Sequence, residues 1–157
     1  MTSLIRDLAS STPEMLDIFG DRYTLEAACQ FEAALARACA AEGLITESEA
    51  ASIAECCVKA DWNVREIADE AANAGTLAIA LVAELRSRIA QQNPQAAAKL
   101  HLGATSQDVA DSVLMLQVRD AATIIERDLL HLSDALERLT QLPFGQRAGR
   151  DYDGRYK

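Results

Sequence analysis

The sequence predicts an all-α fold, an amino-terminal helical domain followed by the first long helix of a larger bundle. Three observations support this reading. Apolar residues recur three and four apart through most of the 157 residues, nothing alternates with period two, and the stretch 106–142 contains neither Gly nor Pro. Half of the residues are hydrophobic but only 4% are aromatic. The core is therefore aliphatic and Ala-rich, which suits close helix packing. The length allows one ordinary domain with a real core.

Taken in order, Thr12 and Pro13 open a short helix as N-cap and first helical residue, and Gly20 closes it. Asp21 to Glu42 follows as a long helix, with Leu25, Ala28 or Cys29, Glu32, Leu35 or Ala36, and Cys39 on one stripe and Gly43 as its stop. Thr46 with Glu49 three residues on has capping-box spacing and starts a helix running to about Lys59. Asn63 caps a helix to about Asn73, broken by Gly75, and Thr76 to Ala90 is the next. Asn93-Pro94 marks a turn into a short helix ending near Lys99. From Ser106 to Leu142, the residues Leu114, Val118, Ala121, Ile125, Leu129, Leu132, Leu136 and Leu139 form one stripe. A helix of that length reaches well beyond the globular average and finds no partner of similar length in this chain. Its stripe predicts a partner from outside. The Gly- and Arg-rich residues 143–157 lack helical spacing and are expected to be poorly ordered. The division expected is 1–105, 106–142 and 143–157.

The 24 acidic and 15 basic residues give a net charge of −9, which argues against non-specific nucleic-acid binding. No apolar run approaches the ~20 residues needed to span a bilayer, and the start has no signal-peptide core, so no membrane association and a cytoplasmic location are expected. Cys29, Cys39, Cys56 and Cys57 lie within helical patterns, away from either histidine, and read as reduced core residues with no metal site.

The segment His101-Leu102-Gly103-Ala104-Thr105-Ser106-Gln107-Asp108 departs from the rest. It gathers an imidazole, two hydroxyls, an amide and a carboxylate at the start of the long helix. There the first N–H groups lack partners and the dipole is positive, which suits an anion such as a carboxylate or phosphate. Thr105 and Ser106 can equally serve as helix caps, and Asp108 can simply complement the dipole. Trp62 reads as a packing anchor, Arg22 and Tyr23 as structural, and His131 as a residue of a solvated face or bundle contact.

Three segments together resemble the fumarase/aspartase superfamily. They are Ile18 to Tyr23 leading into Phe31–Ala38 and Glu42–Ile45, the Ala-rich Asp69–Leu85 stretch with Asn73 and Gly75, and His101–Asp108 with its following helix. The Gly-Ala-Thr-Ser-Gln-Asp wording is most similar to the 3-carboxy-cis,cis-muconate cycloisomerase branch, with adenylosuccinate lyase next and a sulfomuconate-type relative as a further alternative. The resemblance implies lactone formation by adding a carboxylate across a double bond, within protocatechuate degradation, and no cofactor. It implies that His101, Thr105, Ser106 and Gln107 bind substrate carboxylates. It also implies a cytoplasmic homotetramer whose long helices form a central bundle, each active site drawing on three subunits. The acid/base segments of the family lie beyond this sequence, so no catalytic residue is assigned and the chain alone is expected to be inactive. Read one nucleotide out of frame, the codons for Asp151 to Tyr156 can spell a motif of the family. The residues after about Leu142 are therefore expected to be out of frame and the chain to be truncated. A non-enzymatic reading, a helical oligomerisation module whose polar loop is only a cap, stays open beside this one.

Overall fold

The structure is a computed structural model that describes residues 7, 9–59 and 61–141. Among these residues there is no strand, and the regular elements are α1 (Pro13–Ile18), α2 (Asp21–Ala41), α3 (Glu47–Lys59), α4 (Val64–Ala74), α5 (Leu77–Ala90), α6 (Pro94–Lys99) and α7 (Ser106–Thr140). The expected tail, 143–157, lies outside the described residues. By contact the chain falls into two units, one ending at Asp120 and the other beginning at Ala121.

Local chemistry sets the helix boundaries. The Thr12 hydroxyl accepts the Met15 N–H at 3.2 Å, with Pro13 at the first position of α1. Gly20 is the N-cap of α2, not the stop of α1, for which Phe19 is the C-cap. The corner is tight: a Cβ at Gly20 would lie 3.2 Å from the Asp17 carbonyl oxygen. At the head of α3 the Thr46 N–H donates to Glu49 Oε2 at 2.7 Å and the Glu49 N–H to Thr46 Oγ1 at 3.2 Å, the reciprocal capping box. Asn63 caps α4, and Gly75 ends it at φ 77°, where a side chain would be strained. Thr76 caps α5 and Asn93 caps α6, each accepting a backbone N–H in the first turn.

In the unit ending at Asp120, α2 packs along α3, α5 along α4 and α6, and α3 also meets α5 and α6. Ala27, Ala28, Ile53, Leu81, Leu85 and Ala96 lose essentially all solvent contact. Each large aliphatic buried this way stabilises the fold by about 1.5–3 kcal/mol relative to exposure, while the small Ala residues let the helices approach. The Asn93 amide donates to Ser52 Oγ at 3.0 Å, tying the start of α6 to α3. Trp62 packs against the core, with the Arg88 guanidinium 5.0 Å from its ring centroid. It is a packing residue, as its sequence context suggested.

The first turns of α7 join the same core through Val109 and Val113. Gln117 is also buried, and its amide donates to the Ile18 carbonyl at 3.0 Å and to Thr24 Oγ1 at 3.2 Å. The Tyr23 hydroxyl donates to Asp120 Oδ2 at 2.5 Å. Burial, then the hydrogen bond and negative charge of Asp120, push the Tyr23 phenol up to about 12. Arg22 pairs with Glu26 one turn on, at an exposed site. A cavity of about 910 Å³ is bordered by residues of α2 and α7 together with Val58 and Trp62. In the unit beginning at Ala121 the helix continues to Thr140, and His131 is exposed.

Candidate functional site

The polar loop is built from both ends. On its entry side, Leu100 is buried at the end of α6. Arg86 of α5 reaches across and donates to the Ala97 carbonyl at 3.3 Å and to the Leu100 carbonyl at 3.4 Å. The chain then turns through two left-handed residues, His101 at φ 64° and Gly103 at φ 77°. His101 is the one non-Gly residue with positive φ among those described. An L-residue held there costs of order 1–2 kcal/mol, although His is among the types that tolerate it best.

Beneath the loop stands Glu32 of α2. Its Oε1 lies 2.6 Å from His101 Nδ1, its side chain has no exposure, and that of His101 retains 17%. Its other oxygen, Oε2, has no hydrogen-bond partner. Burial drives the Glu32 carboxyl above its ordinary value, while the hydrogen bond and charge of His101, and then the charge of Arg86, pull it back. Glu32 belongs to this site, although its sequence position marked only a helix stripe. The signal was available: a carboxylate in a buried stripe between Cys29 and Ala36 needs a partner.

On the exit side, Thr105 precedes α7 and closes a second capping box. Its N–H and its hydroxyl both donate to Asp108 Oδ2 at 2.7 Å, and the Asp108 N–H returns to Thr105 Oγ1 at 3.4 Å. These bonds, the hydroxyl's first, hold the Asp108 carboxyl below its usual range. Capping and dipole complementation, the plain readings of Thr105 and Asp108, are thus both realised. The Gln107 amide donates to Asp111 Oδ1 at 2.7 Å. The N–H groups of Ser106 and Gln107 and the Ser106 hydroxyl make no hydrogen bond among the described residues. Two backbone donors at a helix N-terminus, a free hydroxyl and a partly exposed imidazole therefore share one short loop. That set can receive a carboxylate. The residues lining the 910 Å³ cavity include none of 101–108.

No group of three or more His, Cys, Asp or Glu among the described residues could hold a metal ion. All four cysteines are free. No helix is long and apolar enough to cross a membrane among the described residues.

A sequence profile described as Lyase matches residues 7–142. The chain belongs to the Lyase family. It is 45% identical to a 3-carboxy-cis,cis-muconate cycloisomerase of Pseudomonas putida over 88% of this chain and 33% of that protein. It is 33% identical to a nitrosuccinate lyase of Streptomyces davaonensis over 89% of this chain and 29% of that one. The crystal structure of 3-carboxy-cis,cis-muconate lactonizing enzyme from Pseudomonas putida superposes with a TM-score of 0.79 at 43% identity, covering 87% of this chain and 31% of that structure. The all-α fold and the superfamily resemblance are thereby shown. The chain spans 24–33% of the length of the curated relatives it matches.

Proposed function

We propose that this chain supplies the carboxylate-binding part of an enzyme of the 3-carboxy-cis,cis-muconate cycloisomerase type. The reaction is an intramolecular addition: a substrate carboxylate oxygen bonds to one carbon of a double bond, and the neighbouring carbon takes a proton. A substrate with several carboxylates must be gripped by those that do not react. The observation that carries this reading is the pair of unpartnered N–H groups at Ser106 and Gln107, beside the free Ser106 hydroxyl. Fixed donors of this kind need no reorganisation when they meet the anion. His101, Thr105 and Gln107 complete the proposed contacts. Thr105 would keep its capping bond to Asp108 and offer the second lone pair of its hydroxyl oxygen to a bridging water.

The proton must come from a general acid in segments beyond these residues, so the chain alone is expected not to turn over. The working form would be a cytoplasmic homo-oligomer assembled through the helix at 106–142, a tetramer in the full-length enzyme. In support, Ile125, Leu129, Leu132, Leu136 and Leu139 are 46–60% exposed. No cofactor, nucleic acid or membrane enters this reading.

Titrating a non-reactive tricarboxylate into the chain and following amide shifts tests it. Saturable shifts at Ser106 and Gln107 are expected. A folded chain whose loop amides do not respond would instead favour the second reading, an oligomerisation module with a capped helix, which the exposed apolar stripe also supports.

A further inference from the structure

The loop's conformation involves two costs that meet at one bond. His101 is held at φ 64°. Glu32 keeps a carboxylate wholly buried with Oε2 unpartnered. Neither is needed for packing. An apolar side chain of similar length at position 32 would continue the stripe of Leu25, Cys29 and Ala36, and replacing a buried ionisable pair by apolar residues is often neutral or stabilising. What the two costs secure is the 2.6 Å contact between Glu32 Oε1 and His101 Nδ1. It occupies one edge of the imidazole from below.

We propose that Glu32 is a positioning residue: it binds the Nδ1–H of His101 and so fixes Nε2 as the ring nitrogen presented to a ligand carboxylate at the loop. The ligand part of this inference rests on the carboxylate-binding reading above. A free neutral imidazole prefers its proton on Nε2, so a ring that donates through Nδ1 has been forced into the other tautomer by its partner. In that tautomer Nε2 carries a lone pair, so the ring donates to an incoming carboxylate only once Nε2 has taken up a proton. The charged groups around the pair are Glu32 on α2, Arg86 on α5, whose guanidinium bonds the carbonyls of Ala97 and Leu100, and Asp108 in the first turn of α7. Arg86 and Asp108 are of opposite sign and each is already held by the chain. Glu32 is the group that touches the ring.

The test is ¹⁵N spectroscopy of the histidines in the full 157-residue chain, with and without a tricarboxylate, on the wild type, Glu32→Gln and Glu32→Leu. In the wild type the neutral His101 ring should carry its proton on Nδ1. Glu32→Gln should keep that tautomer, because the amide carbonyl still accepts from Nδ1. Glu32→Leu should revert to the Nε2–H form and bind the tricarboxylate without the proton uptake that the wild-type ring needs, so that its affinity falls less steeply as pH rises. A wild-type neutral ring protonated on Nε2 overturns the proposal, and that measurement needs no variant to fold. Equal tautomers and an equal pH dependence of tricarboxylate binding across the three proteins overturn it as well. An Nδ1–H tautomer that depends on Glu32, in a chain whose loop ignores the tricarboxylate, upholds the positioning and refutes the carboxylate reading instead.

Discussion

From Ser106 to Asp120, α7 buries Val109, Val113 and Gln117 at four-residue steps. Leu114 and Val118 in that stretch, and Leu129, Leu132, Leu136 and Leu139 beyond Ile125, lie on another face of the helix and are 46–60% exposed. The spacing is helical on both faces, and one of them is covered. Hydrophobic spacing therefore marks which face of a helix is meant to be covered, but not what covers it. On the first face the cover is visible: a small Ala-rich core, with a buried amide that fixes helical register. On the second, large apolar groups stand in contact with water among the described residues, where each gains nothing until a partner removes it.

The sharpest way to break this comparison is a matched pair of truncations. Leu85→Ala, at a site with no exposure, should cost about 2–5 kcal/mol in denaturant unfolding. That is a large share of the ~5–15 kcal/mol typical of a domain. Leu132→Ala, at 54% exposure, should stay within about 0.5 kcal/mol at high dilution. As concentration rises, the Leu132 variant should fall behind the wild type, since a partner stabilises by mass action. Equal losses for both at high dilution would mean that the exposed stripe is covered as fully as the core.

A second test addresses the register. Gln117→Leu keeps the size but strands the Ile18 carbonyl and removes the N–H that the Thr24 hydroxyl, itself donating to the Gly20 carbonyl, accepts. The expected loss is about 1–3 kcal/mol, seen as a lower denaturant midpoint with unchanged helicity. Next comes pH. The carboxyl of Glu32 is raised by burial in the fold, so the folded state holds its proton longer than the unfolded chain does. Its contribution is complete below the ordinary carboxylate range and is lost as pH rises through the raised value. Unfolding midpoints should therefore decline over that interval, and Glu32→Gln should flatten the decline. The smallest effect belongs to the cap: Thr105→Ala should cost about 1 kcal/mol. It matches Thr46→Ala at the equivalent box of α3, which serves as a control with no ligand role.

Much of the fold was legible because short-range chemistry decided it. Thr46 with Glu49, Asn63 with Gly75, and Asn93 with Pro94 satisfy helix ends with atoms a few residues away, so spacing alone placed those ends within a residue or two. The helix start at Ser106 was legible for the same reason. Gly20 misled by one position, because what it answers is a close approach to the Asp17 carbonyl, which no local pattern records. The loop was identifiable as polar and as a helix N-terminus, yet two of its features were not. Asp108 takes up the N–H of Thr105, so the donors left open are those of Ser106 and Gln107. Glu32 lies 69 residues before His101, and only tertiary packing brings them together. A sequence shows that a buried carboxylate needs a partner; it does not say which.

The cysteines supply a use of their own. Cys29 and Cys57 face each other between α2 and α3, and the hydrogen bond between them, then burial, raises the Cys57 thiol far above the ordinary range. Burial raises Cys56 as well, although it is only half-covered. A thiolate-seeking alkylating reagent would thus find Cys56 slowly, and the buried Cys29, Cys39 and Cys57 only during moments when local opening exposes them. Counting alkyl groups by mass against time would record those moments directly. Among these thiols, Cys29 and Cys39 carry a clock for local opening on the same helix α2 that supports His101 through Glu32.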